Sequence, residues 1–256
     1  MWVAITRDVS PALGTCELSF VERSAIDVTQ AIKQHHAYRE ALMALGCRVI
    51  SLPAEAQLPD SVFVEDAAIV LDEVAVLTRP GASSRRDEVA SIGAALKSWR
   101  PLLAIEAPGT IDGGDVLRLG RTLYVGESAR SNDAGITQLR ELLVGHGYAV
   151  EGVPTHGCLH LKSAVTQLDD QTVLLQPAWV DRSRFADFRV IEVDPAEPHA
   201  ANVVRIGDAL LMPASFPRTQ QRLLDAGFAV TSVDVSELQK AEGAVTCCSL
   251  VFRVAD

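Results

Sequence analysis

Residues 115–154 read DVLRLGRTLYVGESARSNDAGITQLRELLVGHGYAVEGVP. Val116, Leu117 and Leu119 form one apolar run, and Leu123, Tyr124 and Val125 form a second across Gly120-Arg121. Two such runs about a glycine-containing turn predict a β-hairpin. From Asp133 onward, Ile136, Leu139 and Leu142 recur at helical spacing, Gly147 stops the helix, and YAVEGVP follows as a short strand. The same order recurs along the chain. Hairpins are predicted at 67–80 (AAIVLDEVAVLTRP), 163–177 (SAVTQLDDQTVLLQP) and 202–213 (NVVRIGDALLMP). Helices carry Val28, Ala31, Ile32, Tyr38, Leu42 and Leu45, then Val89, Ile92 and Leu96, then TQQRLLDA at 219–226. A weaker one is predicted at SRFADF, 183–188. Asp27 can cap the first and Gly46 can end it. Strands follow at 47–53, 101–108, 189–194 and 228–234. A last unit, SLVFRV at 249–254, lacks its second strand, and WVAITRD at 2–8 is an orphan strand that supplies it. Five units joined head to tail, with the N- and C-terminal strands closing the ring, predict an α/β five-bladed propeller with pseudo-fivefold symmetry. No linker or low-complexity tract interrupts it, so residues 1–256 are expected to form a single domain. The competing topology is an ordinary α/β sheet.

The chain has 256 residues, of which 48% are hydrophobic and 22% charged, a globular composition. Its net charge of −10 speaks against a nucleic-acid partner, because no basic stripe is available to neutralise phosphates. No apolar run reaches the ~18–20 residues of a membrane helix. The start, MWVAITRDV, lacks the apolar region of a signal peptide. Five cysteines, an odd count, predict free thiols in a reducing cytoplasm rather than a disulfide framework.

In a closed ring, corresponding loops meet at one end of the axis. Those loops are PDSVFVED (Asp60, Glu65, Asp66), GTIDGGD (Asp112, Asp115), THGCLHLKS (His156, Cys158, His160), PAEPHAAN (His199, Asn202) and EGAVTCCS (Cys247, Cys248). A cysteine, a histidine and several carboxylates from separate units would face one another. A thiol with a histidine supplies a nucleophile and an acid/base for attack on an electrophilic carbon. Alone, each residue has an ordinary reading: a buried cysteine packs as a small hydrophobe, and a histidine near a strand is a hydrogen-bonded structural group. His156, Cys158 and His160 alternate as on one strand face, so a zinc site is the alternative use of that loop. Arginines in RPGASSRR and GESAR suit a carboxylate ligand through their planar forks.

The strings LPDSVFVED, TRPGASSRR, TIDGGDVL, GESARSN, LHLKS, AAN and TCCS, in this order from about Gln34 to Phe252, resemble those of the dimethylarginine dimethylaminohydrolase (dimethylargininase) family of the guanidino-group modifying, or pentein, superfamily. The resemblance implies the same α/β propeller. It also implies hydrolysis of N-omega-methylated arginine to citrulline and an alkylamine, with no metal or organic cofactor. By position it makes Cys247 the nucleophile and His160 the general acid/base. Asp66 and Asp112 become the guanidinium anchors, with Glu65 beside them. Asp60 falls on the α-amino contact, Arg85 and Arg130 on the α-carboxylate pair, and Leu18 on the loop over the substrate. Some relatives carry Glu where this chain has Asp112, one methylene shorter. Cys248 has no assigned role. The implied partner is a small cationic amino acid, and a homo-oligomer is allowed. Rival readings are an arginine deiminase-like or other guanidino-group hydrolase, an amidinotransferase, and a non-catalytic propeller binding module.

Overall fold

The computed structural model describes residues 1–254. Fifteen strands form five three-stranded sheets, and every sheet is built alike. The strands are β1 (Trp2–Arg7), β2 (Cys47–Leu52), β3 (Ala68–Val70), β4 (Ala75–Leu77) and β5 (Leu102–Ala104). Then come β6 (Val116–Leu119), β7 (Thr122–Glu127), β8 (Ala149–Pro154), β9 (Val165–Gln167) and β10 (Thr172–Leu175). The series ends with β11 (Arg189–Glu192), β12 (Val204–Ile206), β13 (Ala209–Pro213), β14 (Ala229–Val233) and β15 (Leu250–Arg253). In each unit an inner strand pairs antiparallel with a middle strand, which pairs parallel with an outer one. The parallel pairing requires a crossover. It is supplied by α1 (Val28–Ala44), α2 (Glu88–Leu96), α3 (Asp133–Val144) and α5 (Pro217–Asp225), while α4 (Leu161–Ala164) and α6 (Ser236–Gln239) are short loop helices.

The ring closes as the sequence predicts. β15 pairs with β1, Val3 opposite Phe252 and Ile5 opposite Leu250, so the two ends of the chain complete one sheet. Adjacent units meet through their inner strands, with β15 beside β3, β6 beside β9 and β9 beside β12. An α/β five-unit propeller results, with its apolar core divided into five clusters.

Local signals account for most element ends. Asp27 accepts from the Gln30 N–H at the start of α1, and Asn132 accepts from the Gly135 N–H at the start of α3. Gly46 follows α1 at φ 92°, a left-handed conformation that suits glycine. The expected stripes shift slightly. Ile32 is 49% exposed, because it lies one residue round the helix from the buried Ala31. Leu143, not Leu142, completes the buried row of Ile136 and Leu139. The weak fourth helix is absent: Arg182–Phe185 is a single tight turn capped by Asp181, and Phe185 alone anchors it in the core.

The hairpin turns lie at one end of the axis, around a funnel of about 700 Å³ lined by the inner strands. At the other end sit the five segments that precede the inner strands: Val64–Ala67, Gly113–Asp115, Leu161–Ala164, 200–203 and 246–249.

Tyr38, fully buried on α1, braces the last of these. Its hydroxyl donates to the Val245 carbonyl at 2.7 Å and lies 2.6 Å from Ser249 Oγ. Tyr38→Phe strands both partners in the core, so urea unfolding should show a loss of about 1–3 kcal/mol. Wild-type stability in that variant would show that the brace carries no weight.

Candidate active site

Asp60, Asp66, Arg85, Arg130, His160 and Cys247 line one small cavity of about 20 Å³. His160 lies between two buried carboxylates. Its Nε2 is 3.0 Å from Asp112 Oδ2, and its Nδ1 is 3.8 Å from Asp66 Oδ1. Glycine makes this possible: a Cβ on Gly114 would lie 2.5 Å from His160 Nδ1, and one on Gly113 would overlap the Glu65 carbonyl. The GG of TIDGGD is therefore a requirement for close approach, and the Gly114 N–H donates to Asp66 Oδ1 at 2.9 Å.

Charge follows from this placement. Burial alone would lower the His160 pKa, but Asp66, the hydrogen bond to Asp112, and Asp115 outweigh it and push the imidazole up to about 9. Burial would raise Asp66, yet His160 and the Arg85 guanidinium hold it at about 2. Cys247 is half-buried, and burial followed by the charges of Glu65 and Asp66 pushes its thiol up to about 12. The ligand-free site thus holds an imidazolium, two carboxylates and a neutral thiol.

The two thiols of TCCS do not share the cavity. Residues 245–248 form a turn. Cys248 Sγ lies 3.3 Å from the Ala244 carbonyl, fully buried in the core beside Tyr38, and Cys247 alone reaches the cavity. The zinc alternative at 156–160 also fails. That segment is a bend, with Gly157 at φ 65°, and Cys158 is buried in a separate apolar cluster. Among the described residues, the group whose ligand atoms lie within 4.8 Å of one another is Asp66, Asp112 and His160. Arg85 and the Gly114 N–H already occupy Asp66, the Gly81 N–H occupies Asp112 at 2.8 Å, and a protonated imidazole offers no lone pair. His199 packs against Trp179 with ring centroids 4.9 Å apart and the planes tilted by 60°, outside the cavity.

Two expected substrate contacts are placed differently. Glu65 points through the cavity floor into the funnel, where it accepts from Lys162 Nζ and from Thr246 Oγ1 at 2.8 Å. Its N–H donates to the Cys247 carbonyl at 3.1 Å, so it supports the nucleophile's turn. Arg85 is on the cavity wall, but Glu88 takes its Nε and Nη2, and Asp66 takes one Nη1 proton. Asp60 and Arg130 are at the mouth. Asp60 Oδ2 accepts from the Glu17 N–H at 3.1 Å, and Arg130 Nη2 donates to Ser19 Oγ at 3.2 Å. Leu18, half-buried between those two residues, packs on the core beneath.

Two buried residues outside the expected set hold the arrangement. Asp115, raised to about 6 by burial, accepts from the Leu161 N–H and from Ser128 and Ser131, and so fixes the backbone beside His160. The Asn202 side chain accepts from the Thr246 N–H at 2.9 Å and donates to Thr246 Oγ1 and the Lys162 carbonyl. It thereby ties the residue before Cys247 to the helix that follows His160. The strings GGD and AAN already contain both residues.

The chain matches the family model described as N,N dimethylarginine dimethylhydrolase, eukaryotic, over residues 17–253. It belongs to the dimethylarginine dimethylaminohydrolase family. The N(G),N(G)-dimethylarginine dimethylaminohydrolase of Pseudomonas aeruginosa is 38% identical over 228 residues, 88% of this chain and 90% of that one. The Streptomyces coelicolor protein of the same name is 42% identical over 257 residues, 98% and 96% of the two chains. A solved structure of the Pseudomonas aeruginosa family member, a cysteine-to-serine mutant complexed with citrulline, superposes with a TM-score of 0.94 at 35% identity, covering 98% of this chain and all of that one. The N-terminal domain of ArgZ, an arginine dihydrolase, shares the fold with a TM-score of 0.87 at 21% identity. No helix of this dimethylarginine dimethylaminohydrolase relative is long and apolar enough to cross a membrane, among the described residues.

The thiol state is directly measurable. As pH rises through about 9, His160 loses its charge, which removes a cation that favours the thiolate. Thiolate absorbance of the ligand-free enzyme, taken as the difference from Cys247→Ser, should be absent at neutral pH and grow only in the strongly alkaline range, toward about 12. A Cys247 signal already complete in mildly acidic buffer would contradict the assigned charges and point to a standing thiolate–imidazolium pair.

Proposed function

We propose that this chain is a dimethylargininase, acting on N-omega-methylated arginine to release citrulline and an alkylamine. One observation carries the reading: a reachable thiol shares a small cavity with a protonated histidine and the buried Asp66 carboxylate, the buried Asp112 carboxylate holds the other ring nitrogen of that histidine, and the mouth offers one carboxylate and one arginine. That distribution complements a guanidinium at the inner end and an α-amino acid at the outer end.

In this reading Asp66 and Asp112 accept from the substrate guanidinium, each with a lone pair beyond those its present partners use. The incoming cation offsets the carboxylates around Cys247, so the thiol releases its proton to solvent and attacks the central guanidinium carbon. His160, protonated at neutral pH, gives its proton to the departing amine, which otherwise leaves poorly. An S-alkylthiouronium on Cys247 remains. The neutral imidazole takes a proton from water as the water attacks that carbon, and as the sulfur departs the remaining hydroxyl proton of the adduct passes to it, leaving citrulline and the neutral thiol. The residues of the site supply nucleophile, acid and anchors, so we assign no cofactor.

Asp60 is assigned the α-amino group, Leu18 the segment over the substrate, and Arg130 the principal grip on the α-carboxylate. Arg85 adds its remaining Nη1 proton and mainly holds Asp66; Glu65 supports the floor. We place the enzyme in the cytoplasm as one catalytic unit spanning 1–256. Support for that compartment comes from the cysteines, all five of which are free thiols.

Citrulline release from dimethylarginine, monomethylarginine, arginine and agmatine, side by side, tests the assignment. The methylated substrates should turn over, and Cys247→Ser should abolish turnover while Cys248→Ser keeps most of it. Agmatine lacks the carboxylate that helps position the guanidinium, so it should fall by about tenfold or more in kcat/KM. Arginine as the preferred substrate would move the chain to the deiminase reading, and equal use of agmatine would remove Arg130 from its role.

A further inference from the structure

The cavity beside Cys247 holds about 20 Å³, room for roughly one water, and no amino acid enters it unless a wall moves. One wall continues into the segment 17–22, whose tip has little apolar support. Phe20 is 53% exposed and Val21 is 37% exposed, so burial does not hold the tip down. The carboxylate of Glu242 holds its three successive N–H groups. Glu242 Oε1 and Oε2 accept from the Ser19 N–H at 3.0 and 2.9 Å, and Oε1 also accepts from the N–H groups of Phe20 and, at 2.7 Å, Val21. Three successive backbone N–H groups converging on one anion form a concave anion site.

Glu242 itself is held unusually. It follows α6 at φ 59°, the non-glycine residue of positive φ among the described residues. That conformation is strained for a residue with a side chain, and glycine would carry it freely. A glutamate kept there, five residues before Cys247 and on the cavity wall, points to a use for its side chain.

We propose that Glu242 is a positioning residue for the reaction: its carboxylate latches segment 17–22 shut over the substrate. The latched segment contacts both residues at the mouth of the expected amino-acid site. The Glu17 N–H holds Asp60, and Ser19 Oγ holds Arg130, while Ser84 Oγ donates to Glu17 at 2.6 Å and Arg23 braces the Gly14 and Cys16 carbonyls. Opening it frees Asp60 and Arg130 for an incoming α-amino acid, and closing it brings Leu18 over the ligand and excludes water from the thiouronium stage until the amine has left. Glu242 touches the segment, not the reacting atoms. The proposal rests on the cavity being the substrate site, but its structural half does not.

Amide hydrogen exchange of the full ligand-free chain, wild type against Glu242→Gln and Glu242→Gly, separates the two. Glycine relieves the backbone conformation, so that variant should keep the wild-type thermal midpoint. In both variants the amides of Ser19, Phe20 and Val21 should exchange about tenfold faster or more, with the β1 amides unchanged. Iodoacetamide should alkylate Cys247 faster, and kcat/KM for dimethylarginine should fall by about tenfold, because the closed geometry is populated less. Unchanged exchange at those three amides overturns the latch. Faster exchange with unaltered kcat/KM overturns the positioning role. If the wild type turns over no methylated arginine but the exchange result holds, the latch stands and the substrate assignment falls.

Discussion

Everything at the catalytic end depends on an imidazole held between two carboxylates that cannot reach water. Asp66 and Asp112 are both buried, and His160 lies between them. Uncompensated, three such groups would be costly; as an ion triad whose carboxylates also accept from backbone N–H groups and Arg85, they fix one another's charge. The consequence for Cys247 is the opposite of activation. Burial, Glu65 and Asp66 keep the thiol neutral, Asp66 being also a carboxylate that keeps His160 cationic, and the site waits for a cation that can offset these charges. Thiol oxidation follows thiolate character, so the same balance protects the idle enzyme.

The ring supplies the precision. Each side chain of the triad comes from a different unit, at the point where a loop enters an inner strand, and no single unit could place them. Gly113 and Gly114 remove the two Cβ atoms that would hold the units apart. Asn202 and Glu65 then tie the nucleophile's turn to its neighbours through buried hydrogen bonds. A shift of one loop is thus felt at the thiol, which is why the brace at Tyr38 and the latch at Glu242 matter although neither touches the reacting carbon.

The architecture was legible because its signals are local. Period-two runs about Gly120 or Gly207 and helical rows such as Ile136–Leu139 report themselves within a dozen residues, and the orphan strand at 2–7 needed a partner that 250–253 supplies. What failed also failed locally. SRFADF has too few apolar positions to fix a helix, and LHLKS and TCCS look extended, although a bend at Gly157 and a turn at 245–248 take them out of strand geometry. The site's membership came from matching strings, but its wiring did not. That Arg85 is committed to Asp66 and Glu88, or that Glu65 faces the funnel rather than the cavity, depends on which side of a one-residue-thick floor a side chain takes. Spacing along the chain carries no information about that choice.

Nitrogen-15 NMR of the His160 imidazole, titrated in the ligand-free enzyme and in Asp112→Asn, reads the central interaction itself. The account requires a doubly protonated ring through neutral pH in the wild type, losing its proton only near about 9, and an earlier loss once the Asp112 charge is removed. A His160 that is already neutral at physiological pH in the wild type, or that titrates unchanged in Asp112→Asn, would contradict it.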